Sequence, residues 1–318
     1  MDDIYLTIAY NIVMLKIIVS AVVVIAVIFA LNIQSILPDG SNVSVLSQTA
    51  TPTCDYVPVT YNPADFDNVL DGETFTQTLV LEGVDWNNTL VTNCSFKDIE
   101  GDGILLRNVE NVVISGCTFE GIQGQGAIRG SVTGGTNNIV IANNVISDVA
   151  ENGINFGQRV GSDIDHKGLI IEGNIITNTG MTQSNGLHHS VYVQTQDVIV
   201  RHNIIAGIRD GNGISVRSSG EVSCNTVTGN SKADKAGIRY YSDHQTGPSK
   251  TLVLTDNTVS GQDIGIDLFA PVDRYDGKTG VDHVVKTFVV TNNELSRNYQ
   301  PFRLATIYQA APFIVVLE

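Results

Sequence analysis

The chain has 318 residues, 30 of them glycine and 27 asparagine, and only 16% are charged, against roughly 25% in an ordinary soluble domain. That composition excludes a coiled coil and a polyelectrolyte tail. With 33 acidic against 18 basic side chains the formal charge is -15, so a phosphate backbone finds no attractive field and nucleic acid is excluded as a partner. Four cysteines are too few for a disulfide scaffold, while 42% hydrophobic residues with few aromatics permit a core of Ile and Val.

In chain order, residues 1–11 read as a short cytoplasmic N-terminus and 12–33 as a transmembrane anchor or a signal sequence. From Ile12 to Leu31 the chain is apolar apart from Lys16 and Ser20, and 20 residues at about 1.5 Å each span about 30 Å, one hydrocarbon thickness. A start at Met14 would give the charged n-region of a cleaved signal. Lys16 flanks the apolar run, and no Lys or Arg follows until Lys97, which places the N-terminus inside and the remainder outside. Residues 34–66, with Pro38, Pro52, Pro58 and Pro63, read as a linker or N-terminal cap.

Residues 67–318 are built from repeats. The units VTNCSF, ISGCTF, IANNVI, IEGNII, VRHNII, VSCNTV, LTDNTV and VTNNEL align Cys94, Cys117, Asn144, Asn174, Asn203, Asn225, Asn257 and Asn293. Their spacings of 23, 27, 30, 29, 22, 32 and 36 set a minimum coil of 22 residues, with the excess in loops. A glycine-led strand follows six of the eight units: Gly103-Ile104, Gly126-Ala127, Gly153-Ile154, Gly213-Ile214, Gly237-Ile238 and Gly265-Ile266. Two or three short β-branched strands per coil, with turn residues at fixed offsets, predict a solenoid of parallel strands stacked about 4.8 Å apart, its repeated Asn forming an amide ladder. Cys94 and Cys117 fall on neighbouring coils, close enough for a disulfide or for two stacked buried thiols.

On these repeats the chain resembles the right-handed parallel β-helix superfamily, the pectate-lyase-like proteins. The resemblance implies an all-β, single-stranded right-handed solenoid and a protein acting on or binding polysaccharide, as a lyase, hydrolase, epimerase, tailspike or adhesin. No Asn-Thr-Asp, Gly-His-Gly and Arg-x-Lys set and no Arg-x-Pro-x-x-Arg occurs, which argues against pectin.

Strand residues alternate inward and outward. Registered on the glycine-led strand, one outward column is Asn155, Tyr192, Ser215, Arg239 and Asp267, and the next is Gly157, Gln194, Arg217, Tyr241 and Phe269. The insertions Gln158–Lys167, Ser242–Lys250 and Ala270–Lys286 follow this strand, and loops that lengthen beside one face wall a groove. β-Elimination from a uronate needs a cation for the carboxylate, a base for the C5 proton and an acid for the leaving oxygen. Arg217 or Arg239 supplies the first; His189 and Tyr192 share the others. His188, Gln194, Tyr241, His244 and Asp267 are candidate substrate contacts. The plain alternative is a covering surface of stacked side chains, with Arg239 and Asp267 a cross-rung ion pair. Outward placement predicts that replacing Arg217, Arg239, His189 or Tyr192 costs no more than about 1 kcal/mol of stability.

Asp163 and Asp165, in Ser162–His166, are weak candidates for a Ca2+ loop, and Asp243 with Asp267 is a candidate carboxylate pair. His188 and His189 are strand neighbours that point apart, so sharing one metal ion would need a bend. The sequence reading is an extracytoplasmic, membrane-tethered protein with a polysaccharide partner, a lyase or C5-epimerase of uronate polymers; the alternative is a non-catalytic carbohydrate-binding, adhesin or structural rod.

Overall fold

A computed structural model describes residues 42–44, 54–157, 166–182, 185–230, 232–242, 247–270, 285, 287–306 and 314–317. The anchor at 12–33 lies outside them, as do Asp163, Asp165, Asp243 and His244. Among the described residues no helix is long and apolar enough to cross a membrane.

Every described coil rests on the same alternation of β-branched residues and tight turns. Three parallel sheets result, of 11, 9 and 9 strands among the described residues, and in the repeating body each sheet takes every third strand in chain order. That order is a single chain winding as a right-handed parallel β-helix. Three strands per coil are present, the upper of the two numbers expected. A typical coil runs from Thr136–Ala142 in the first sheet to Val145–Val149 in the third and Asn152–Phe156 in the second. The inward residues form one continuous core, from Leu81 through Ile128, Ile171 and Val200 to Val290, with Phe75, Phe96 and Phe119 stacked at centroid spacings of 4.7 and 4.5 Å.

The asparagine ladder is present along one edge. Asn203 Nδ2 donates to Asn225 Oδ1 at 2.9 Å and to the carbonyls of Ile171 and Arg201 at 3.0 and 2.9 Å. Its Oδ1 accepts from the N–H and Nδ2 of Asn174 at 3.0 and 2.9 Å. Each amide thus satisfies buried backbone groups that a turn would otherwise orphan. The residue before each ladder position lies at positive φ, as in Asn143 (57°), Gly173 (64°), His202 (56°), Cys224 (53°) and Asp256 (57°). Cys94 and Cys117 extend the ladder as free, buried thiols, the second of the two arrangements open to them, and burial pushes the Cys117 thiol up to about 12. Asn203→Ala is expected to cost about 3 kcal/mol or more, because several buried groups lose their partners at once; the shift in urea midpoint measures it, and a change below about 1 kcal/mol would contradict the ladder's role.

The described part of the 34–66 stretch lies along the solenoid. Asn42–Ser44 pairs in parallel with Ile314–Leu317 at the C-terminal end. Cys54 forms a disulfide with Cys224, a bond the sequence reading did not foresee. From there Tyr56 stacks on His202 at 4.9 Å and donates to Asn143 Oδ1 at 2.7 Å. The Val59 carbonyl accepts from Asn143 Nδ2 at 3.3 Å, and a short 3-10 turn, Pro63–Asp65, precedes the first regular coil.

Candidate functional site

The second sheet carries the outward columns, and its register matches the one read from sequence: Asn155, Tyr192, Ser215, Arg239 and Asp267 pair in succession, with Arg303 following. One pair was misregistered. Ile104, Ile128 and Ile154 share a row, so Ala127-Ile128, and not Gly126-Ala127, is equivalent to Gly153-Ile154.

The columns point outward yet are covered. Arg217 and Arg239 are each 8% exposed, His189 2% and Asp267 0%. Such burial argues against a contribution below about 1 kcal/mol for Arg217, Arg239 and His189: long side chains on adjacent rungs shield one another from water. Arg239 Nε donates to Asp267 Oδ2 at 2.6 Å, and Arg303 Nε and Nη2 donate to Asp267 Oδ1 and Oδ2 at 3.0 and 2.8 Å. Arg303 Nη1 also reaches Asp234 Oδ1 at 2.7 Å. The cross-rung pairing of Arg239 with Asp267 is thus present, extended by a second guanidinium, and the Arg239 charge is already balanced.

Arg217 differs. Its guanidinium carbon sits 4.9 Å from the Tyr192 ring centroid and 4.5 Å from that of Tyr241, a cation held between two aromatic faces. Gly157 explains how the first ring fits, since a Cβ there would collide with Tyr192. Tyr192 also stacks on His189, with centroids 5.3 Å apart, and Tyr241 packs against Phe269 at 5.3 Å. Gln194 is buried in the Arg217 column, its N–H bonded to the Phe156 carbonyl at 3.1 Å.

The Asn212 N–H donates to His189 Nδ1 at 2.8 Å. That bond fixes the tautomer: Nδ1 is the acceptor, and the neutral ring carries its proton on Nε2. Burial lowers the His189 pKa well below its ordinary value, with the charges of Arg217, Lys235, Arg239 and His188 acting in the same direction. His189 is therefore a neutral N–H donor, and the C5-proton acceptor role does not suit it. His188 turns the other way, with Nδ1 3.6 Å from Asp210 and Nε2 3.9 Å from Glu151, so the two histidines face different surroundings. Asp210, itself buried, accepts from the N–H groups of Gly186, Leu187 and His188 at 2.9, 3.1 and 3.3 Å and from Lys232 Nζ. Burial alone would raise its pKa; the Lys232 and backbone donors bring it below the usual carboxylate value.

These directions set a pH dependence. A histidine whose folded pKa lies below its unfolded one binds fewer protons when folded, so its contribution is complete above about pH 6.5 and is lost as pH falls. His202, lowered by burial and by Arg201, acts in the same window; Asp210 and Asp234, both lowered, add their losses only below about pH 4. Stability is expected to decline between pH 7 and 5, and His189→Gln to flatten that decline, as read from urea midpoints. Superimposable pH profiles would contradict the depressed value.

Among the described residues no group of three or more His, Cys, Asp or Glu could hold a metal ion; the Ca2+ expectation at Asp163 and Asp165 lies outside them. Sequence reasoning missed Asp210, Lys232, Lys235 and Arg303. The first three lie in segments between strands, where no repeat marks them, while Arg303 lay one rung beyond the columns that were read.

The fold and this face together define a parallel β-helix with a charged, aromatic outer column. The chain belongs to the right handed beta helix region family, which matches residues 77–247, more than half of its length. Among solved structures it is similar to a mutant form of the periplasmic alginate epimerase AlgG, at 15% identity and a TM-score of 0.39, over 79% of this chain and 74% of that one; a likeness of that size does not address activity. A search of curated proteins finds no match.

Proposed function

We propose that the second-sheet face binds an acidic polysaccharide and acts on its uronate residues as a lyase or C5-epimerase. The observation that carries the reading is the Tyr192–Arg217–Tyr241 stack beside a neutral His189. Aromatic faces suit the apolar faces of sugar rings, and a guanidinium suits a carboxylate.

Both reactions begin with loss of the C5 proton, made easier when the adjacent carboxylate is neutralised. Arg217 supplies that neutralisation. Tyr192, as the phenolate held against the guanidinium, accepts the C5 proton at its oxygen, and His189 Nε2–H donates a hydrogen bond to oxygen that becomes more negative. Departure of the O4 substituent, protonated by the Tyr192 phenol just formed, then gives a lyase; return of a proton from water to the opposite face of C5 gives an epimerase. Arg239, tied to Asp267, holds its neighbours in place. The overall charge of -15 opposes an acidic glycan, and the cations collected on this face offset it locally.

The Cys54–Cys224 disulfide supports an oxidising, extracytoplasmic location, and tethering through residues 12–33 goes with that reading. A non-catalytic binding rod is the second reading, favoured by the burial of Arg217 between the rings. The test mixes the full chain with a panel of uronate polymers, following ultraviolet absorbance for unsaturated ends and proton NMR for inversion at C5. Binding without either signal would leave the second reading in place.

A further inference from the structure

Of the cations on this face, Arg217 lies between the Tyr192 and Tyr241 rings, most of the others have carboxylate partners, and Lys235 remains. Lys232 is held by Asp210, and Arg239 and Arg303 by Asp267, with Asp234 also engaging Arg303. Lys235 is half-buried, and its side chain lies across Gly186, where a Cβ would collide with its Cε and Nζ. Gly186 has φ 79°, so both the backbone and the lysine's path favour a residue without a side chain. Among the described residues nothing pairs with the Lys235 ammonium within ion-pair distance. Burial lowers its pKa, as do the charges of Arg239 and Lys232, while Asp234 and Asp210 oppose them.

A second donor nearby lacks a protein acceptor. His189 carries its proton on Nε2, and the structure gives that nitrogen no partner among the described residues, while Lys235 is among the charges that lower the His189 pKa. A half-buried ammonium in a net positive field is costly without a counter-charge. A bound anion would supply one to both donors.

We infer that Lys235, with His189 Nε2–H, forms an anion-binding site for a ligand carboxylate at the strand-entry edge of the second sheet. The site rests on the acidic-glycan reading for its ligand class, and the two are separable by experiment. Titration calorimetry and thermal melts of the full chain, Lys235→Met and Lys97→Gln provide the comparison, with tetramers of galacturonate and of mannuronate, cellotetraose as the neutral control, and sodium acetate and sulfate. Lys97 pairs with Glu120 on an exposed surface.

A uronate tetramer is expected to bind the unaltered chain and Lys97→Gln alike, and Lys235→Met about 10-fold or more weaker, the loss of one charge-assisted hydrogen bond. Cellotetraose is expected not to bind. Ligand-free Lys235→Met is expected to melt at or above the unaltered chain, because the apolar stem is kept and the uncompensated charge is gone. Equal tetramer affinity in Lys235→Met, or a lower ligand-free Tm, would overturn the site. A Tm rise with acetate or sulfate that Lys235→Met abolishes, with no response to either tetramer, would retain the anion site and remove the acidic-glycan reading.

Discussion

Asp267→Ala is expected to cost about 3–5 kcal/mol of folding stability, the size associated with stranding a buried charge. Asp267 is fully buried and accepts from two guanidiniums, Arg239 at 2.6 Å and Arg303 at 2.8 and 3.0 Å. Removing the carboxylate leaves Arg239, whose side chain is 9% exposed, facing Arg303 with only the Asp234 carbonyl and side chain to answer both. Replacing Arg239, Asp267 and Arg303 together by Met, Leu and Met is expected to recover most of the loss, because well-packed apolar residues often substitute for a buried ion group at little net cost. Lys97→Ala, on the exposed pair with Glu120, is expected to shift stability by less than about 0.5 kcal/mol. Urea midpoints and slopes of all three variants decide the matter. A loss below about 1 kcal/mol for Asp267→Ala would mean that the network adds nothing to stability.

That contrast also locates the limit of the sequence. Period-2 alternation and the glycine-led strands placed Tyr192, Ser215, Arg239 and Asp267 in one column, because a strand has only two faces and the repeat fixes which one is apolar. Whether an outward side chain is wet depends on its neighbours one coil away, and those lie 20 to 40 residues distant. Tyr192 over Gly157 and Arg217 between two rings are contacts of that kind.

The ladder was legible because one residue type recurs at one position. The register slip at Gly126 came from treating glycine as the marker, when the inward isoleucine, Ile128, holds the row. The Cys54–Cys224 bond spans 170 residues, and its two cysteines belong to no common repeat, so repeat position brought only Cys94 and Cys117 into consideration as neighbours. The tautomer of His189 had no sequence signal, since the Asn212 N–H that sets it is a backbone donor common to every residue but proline.

The sharpest functional expectation follows from that tautomer. With Nδ1 occupied and Nε2 protonated, neutral His189 has no lone pair to offer a C5 proton, and the proposed function gives that proton to the Tyr192 oxygen, acting as the phenolate. Tyr192→Phe deletes one oxygen and keeps the ring that stacks on His189 at 5.3 Å and faces Arg217 at 4.9 Å. On the uronate polymer that the panel identifies, kcat is expected to fall by about 10²-fold or more with KM nearly unchanged, the range for losing a general acid or base. His189→Gln retains an amide donor and is expected to lose less. Arg217→Lys keeps the charge but gives up the planar group between Tyr192 and Tyr241, so its KM is expected to rise and its kcat to fall in part. Turnover by Tyr192→Phe at the unaltered rate would remove the phenol from the chemistry; a matching loss in all three variants with unchanged binding would mean that the stack acts as one unit and that separate roles are the wrong description.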